Sequence, residues 1–134
     1  MNPLFDQASE LLAAARRDQK TLEILLRDAD SPLEAMLFHA QQAVEKSLKA
    51  ALVSRNILFR RTHDLLALAD MLEAGTAGLP IDRDLLLRLG PYAVEFRYQG
   101  VRAPEVGTEE ARFAVETCLR WALNELQACS RQAD

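Results

Sequence analysis

Apolar residues recur along this chain at spacings of three and four, and nowhere alternate with period two for long enough to make a strand. From about Pro3 to Ala29, a seam runs through Leu4, Ala8, Leu11, Ala15, Leu22, Leu25 and Ala29, with Asp18 in its one gap. Such a seam predicts a long helix lying nearly parallel to its neighbours in a bundle. Asn2 is placed to cap it and Pro3 suits the first helical position. After Asp28–Pro32, the run Ser31-Pro32-Leu33-Glu34 has the form of a capping box and opens a second helix reaching about Arg55. Its seam uses Met36, Ala40, Ala43, Val44, Ser47, Ala50 and Ala51, mostly small residues that let other helices approach closely. That predicts a central position. Leu33, Leu37, Leu48 and Leu52 form a second apolar line, open to another helix or another subunit.

The remaining elements are shorter until the last. Thr62 is placed to cap a third helix whose buried face is Leu65, Leu66, Leu68, Ala69 and Leu72, with Gly75 ending it. A fourth region follows from Asp82 through Leu85, Leu86, Leu87 and Leu89. Gly90-Pro91 must bend or break it before Tyr92 to Tyr98 resumes the pattern. Thr108, with Glu109 and Glu110 in the first turn, opens a last helix carrying Ala111, Val115, Cys118, Ala122 and Cys129. The fold class expected is all-α, an antiparallel up-and-down bundle of four to five helices in one domain spanning 1–134. The surplus of apolar faces on the three long helices points to a homodimer.

Composition narrows the field. Hydrophobic residues make up 49% of the 134 and charged residues 27%, a globular balance rather than a disordered one. The formal net charge of −4 argues against a broad, sequence-independent grip on nucleic acid. No apolar run is long enough to span a bilayer and no signal segment opens the chain, which points to the cytoplasm. Cys118 and Cys129 lie roughly 16 Å apart at helical rise, too far for a disulfide, and read as small apolar residues.

Against this background the polar residues of the second helix stand out. His39, Gln42, Lys46 and Lys49 recur at spacings of three and four and share one stripe, with Glu45 beside it. Diiron chemistry would need Glu-x-x-His pairs facing inward, and neither His39 nor His63 has a glutamate three residues before it. Zinc would need clustered Cys and His, and a phosphate-binding glycine loop or dinucleotide fingerprint is absent, so no metal or cofactor is expected. What remains is Asp18, Gln42, Glu45, Lys46, Lys49, His63, Arg97 and Tyr98. In a bundle the fourth region can bring Arg97 near Lys46 or Lys49. Three cations with Gln42 would suit a phosphate or nucleotide, the arginine bidentately and the lysines as point charges. The same residues also make sense as an ion-pair network of Glu45, Lys49 and Arg97 at a helix junction. His63, at a helix start, equally suits a hydrogen bond across a loop.

Phe38-His-Ala-Gln-Gln-Ala-Val-Glu-Lys-Ser-Leu-Lys-Ala-Ala-Leu52 closely resembles the signature helix of HEPN domains (higher eukaryotes and prokaryotes nucleotide-binding). Asp18 matches the aspartate late in that family's first helix, Thr62-His63-Asp64-Leu65 its His-x-Leu start of the third, and Tyr92 to Arg97-Tyr98 its Tyr…Arg-Tyr element. The resemblance covers roughly Ala8 to Leu126. It implies a compact dimerising bundle, nucleotide binding, and a small nucleotidyltransferase as partner in a two-component or toxin–antitoxin-like system. The residues expected to hold the anionic ligand are Gln42, Lys46, Lys49 and Arg97, with His63 and Tyr98 nearby and Asp18, His39 and Glu45 as the supporting polar network. Many members are metal-independent ribonucleases that use an Arg-x4–6-His motif. Here neither histidine has an arginine five to seven residues before it; Arg55 precedes His63 by eight. The expectation is therefore binding and assembly, with a degenerate ribonuclease built on His63 and a nearby arginine, or a purely structural dimer, as the alternatives.

Overall fold

The structure, a computed structural model, describes residues 2–93 and 105–132. Five α-helices follow one another: α1 (Pro3–Leu26), α2 (Leu33–Ser54), α3 (Leu65–Ala74), α4 (Arg83–Leu89) and α5 (Thr108–Gln132), with a 3-10 turn (Gly90–Ala93) after α4. No strand occurs among the described residues. The all-α bundle expected from the periodicity is the bundle observed.

The helix starts obey local chemistry, though not always at the expected residue. Asn2 Oδ1 accepts from Leu4 N at 3.0 Å and Phe5 N at 3.3 Å, satisfying two of the free donors that open α1. The seam continues only to Leu26; beyond it Asp28 turns the chain back through Asp30 N at 2.8 Å, and Ala29 lies exposed outside the helix. Ser31 does not cap α2, whose N-cap is Pro32 without a side-chain bond. At α3 the cap is Asp64 rather than Thr62: the helix starts at Leu65, and the Asp64 carboxylate accepts from Leu66 N at 3.0 Å and Ala67 N at 3.3 Å. At α5 the cap position falls on Gly107, whose carbonyl accepts from Ala111 N; Thr108 is already helical.

α2 is the hub, packing against α1, α3, α4, α5 and the 3-10 turn. Its small seam residues Ala40, Ala43, Ala50 and Ala51 are fully buried, which is what the close approach of so many neighbours requires. The second apolar line is also spent inside the chain: Leu37, Leu48 and Leu52 are fully buried, and only Leu33 at the end is exposed. Four long-range ion pairs fix the register. Asp18 meets Lys46 and His39, Arg112 meets Glu23, and Arg55 meets Glu125. α1 therefore runs antiparallel to both α2 and α5, and α2 and α5 run parallel.

One loop shapes the surface described below. α2 ends with Asn56 in the left-handed region at φ 57, a conformation asparagine tolerates. Asn56 N then donates to Val53 O and Ile57 N to Leu52 O, both at 2.9 Å. This cap closes the orphan carbonyls and sends residues 57–63 back down the outside of α2 toward α3.

Candidate functional site: a carboxylate-anchored layer on α2

Two carboxylates hold the polar residues of α2, each from a nearly buried position. Asp18, 9% exposed, reaches from the middle of α1. Its Oδ1 accepts from His39 Nδ1 at 3.0 Å and its Oδ2 from Lys46 Nζ at 2.5 Å. Glu45, 3% exposed, lies on α2 just before Lys46 and faces inward. Its Oε2 accepts from Lys49 Nζ at 3.0 Å, and its Oε1 from His63 Nδ1 at 3.0 Å and Gln41 Nε2 at 3.3 Å. A buried carboxylate needs partners of this kind, since isolated burial would cost several kcal/mol. The seam gap at Asp18 is thus filled by a charge neutralised from the neighbouring helix.

Gln41 ties the layer to the fold. Fully buried, it donates from Nε2 to both Glu45 and the His63 carbonyl, the latter at 3.2 Å, and accepts from Gln42 Nε2 at 2.7 Å. It thereby fastens the start of α3 to the middle of α2. The stripe reading passed over it. The signal was there: Gln41 stands four residues after Leu37 and seven before Leu48, inside the apolar line, where a polar residue must be satisfied by neighbours.

The expected residues therefore divide. Asp18, His39 and Lys46 make one cluster, and Gln41, Gln42, Glu45, Lys49 and His63 make a second, on the same side of α2. Arg97 and Tyr98 lie outside the described residues. Both histidines present Nδ1 to a carboxylate, which can only accept, so Nδ1 carries the hydrogen and Nε2 is left for another partner. His63 shows this most openly, with its side chain 69% exposed. Each lysine has three donors and shows one bond to a carboxylate, so both keep donor capacity while their positions are fixed. No group of three or more His, Cys, Asp or Glu able to hold a metal occurs among the described residues.

Away from the layer, Cys118 is a buried thiol whose ionisation is pushed well up by burial, which makes it inert. At the opposite end, Glu110 is held down to about 2 by Arg88, whose guanidinium it accepts from bidentately at 3.0 and 2.7 Å, helped by Gly107 N–H.

A central helix carrying cations and imidazoles anchored by buried carboxylates defines a helical-bundle domain with a built polar layer. The chain belongs to the HEPN domain family, whose family model matches residues 8–125. The match includes both carboxylates, both histidines and both lysines. No curated protein and no solved structure gives a significant match. No helix among the described residues is long and apolar enough to cross a membrane.

Proposed function

We propose that this HEPN chain is a binding and assembly module: it dimerises, holds a nucleotide or other phosphate-bearing ligand, and works with a small nucleotidyltransferase in a two-component, toxin–antitoxin-like system. The observation that supports the ligand is the anchoring of Lys46 and Lys49. Each ammonium is held in place by a buried carboxylate and keeps unused donors, so little side-chain freedom is lost when a phosphate arrives. Gln42 and His63 stand in the same layer and add donors around it. Calorimetric titration with ATP tests this: binding weakened in Lys46→Ala or Lys49→Ala supports it, and no heat at millimolar ligand removes the ligand claim. For the partner, co-expression and co-purification with the neighbouring gene product is the direct test, and a neighbour unrelated to nucleotidyltransferases sinks that part.

One geometric feature favours a second reading. Glu45 orients His63 through Nδ1 and leaves Nε2 exposed, which is how a general base is held in a hydrolase dyad. Metal-free incubation with RNA separates the readings. Cleavage that disappears in His63→Ala selects a ribonuclease; intact RNA with the purified wild type excludes it.

A further inference from the structure

Next to the layer runs a groove of about 720 Å³, within the range of small-molecule sites. One wall is α1 from Leu4 to Arg17, a length of about 20 Å at helical rise. The floor is α2 at Lys49 and Val53, and the other wall is the returning loop from Asn56 to Arg61. The groove exists because the left-handed cap at Asn56 lays that loop alongside α1 instead of leading it away.

Its two ends differ in charge. α1 and α2 run antiparallel and Asp18 pairs with Lys46, so Arg17 and Lys49, which both line the groove, lie within about one helical turn of each other along the α1–α2 pair. His63 is tied to Glu45, and Arg61, two residues earlier in the returning loop, lines the groove with Arg17 and Lys49. Three cations thus gather at one end. Lys49 is the member shared with the polar layer, where Glu45 offsets its charge. Arg17 and Arg61 are exposed, and among the described residues neither has an ion-pair partner. The lining carboxylate, Glu10, is two helical turns from Arg17, away from the cationic end. Away from the cations, Leu11, Val53 and Ile57 give an aliphatic stretch, with Gln7 and Asn56 beyond it. On the outer wall Leu58 is 93% exposed beside the half-buried Phe59.

We propose that this groove binds an organic phosphate monoester, its phosphate between Arg17, Lys49 and Arg61 and its body along Leu11, Val53 and Ile57. Arginine suits the head because its planar fork binds phosphate bidentately. The aliphatic floor suits a flat or alkyl body, from which it excludes water. Two sources share this chemistry, a mononucleotide and an alkyl phosphate. The proposal rests on the reading that the protein binds phosphate-bearing ligands, and it moves the phosphate from the stripe itself to the groove that Lys49 joins to it.

The test is titration of the full chain with AMP, dodecyl phosphate (below its micellar concentration) and inorganic phosphate, with ATP beside them. Four proteins are compared: wild type, Arg17→Ala/Arg61→Ala, Ala14→Trp, which fills the groove, and Lys46→Ala. Because both arginines are exposed and unpaired, the double variant keeps the fold, checked by circular dichroism. The expected result is that AMP or dodecyl phosphate binds, at least 10-fold more tightly than inorganic phosphate. Loss of two charge-assisted contacts then weakens binding about 100-fold in the double variant. Ala14→Trp weakens it too, and Lys46→Ala weakens it far less than either groove variant. Which organic phosphate binds identifies the source. Binding lost in Lys46→Ala but intact in both groove variants overturns the groove and leaves the ligand reading standing. Inorganic phosphate binding as tightly as both organic probes overturns any role for the apolar floor. No binding of any probe overturns the groove and the ligand reading together.

Discussion

Replacing Lys49 by methionine tests whether Glu45 depends on its partners as the geometry requires. Methionine keeps the aliphatic stem and removes only the charge. The variant leaves a carboxylate, 3% exposed, with two remaining donors, the buried Gln41 amide and the His63 imidazole. Breaking a buried ion pair on one side costs about 3–5 kcal/mol. Two features reduce that here: the Lys49 side chain keeps 15% exposure, and His63 remains in place although water screens it. The expected destabilisation is about 2–3 kcal/mol. With a urea slope of about 1–3 kcal/mol/M, the midpoint falls by about 1–3 M. The assay is equilibrium urea unfolding by far-UV circular dichroism at one fixed protein concentration, because association would shift apparent stability. Adding Glu45→Gln to Lys49→Met removes the stranded charge while keeping an acceptor for Gln41. The double variant should recover at least about 1 kcal/mol relative to additivity. A loss under about 0.5 kcal/mol in Lys49→Met, or strictly additive values, would refute the argument that Glu45 is a buried charge held by its neighbours.

Three further outcomes follow from particular residues. Thr76 is held at φ 65 after Gly75, a left-handed position costly for a β-branched residue, so Thr76→Gly should raise stability by about 1 kcal/mol in the same assay. Glu110 has its ionisation lowered from 4.5 to about 2, so its contribution is full above about pH 5 and is lost as the pH falls toward 2. The gap in urea midpoint between wild type and Glu110→Gln should therefore close across that window; a constant gap contradicts the pairing with Arg88. Cys118 is buried with its thiol pushed up whereas Cys129 is partly exposed, so a thiol reagent should titrate one cysteine in the native protein and two in denaturant. Two fast thiols would show that α5 is not packed as described.

The sequence by itself determined the helices and which of their faces are apolar. Periodicity of three and four is a property of one strand of chain, and it located α1, α2, α3 and α5 to within a few residues. It was weakest at the caps, where Ser31, Thr62 and Asp64 are all competent chemically and only the path of the chain decides between them. It also marked Asp18, His39, Glu45, Lys46, Lys49 and His63 as unusual, because charged and amide groups beside a seam of small residues are costly unless partnered. Who partners whom was not legible. Asp18 reaches His39 and Lys46 across 21 and 28 residues, and His63 reaches Glu45 across 18, pairings fixed only when α1, α2 and the returning loop pack. The second apolar line of α2 could have served another subunit until packing showed Leu37, Leu48 and Leu52 buried within one chain. Gln41 stood inside that apolar line, but its partners, Glu45 and the His63 carbonyl, were set only by the tertiary structure. The groove is the clearest case. Arg17 and Arg61 are 44 positions apart and share no periodicity, and they line one groove only because a left-handed turn at Asn56 folds the loop back along α1.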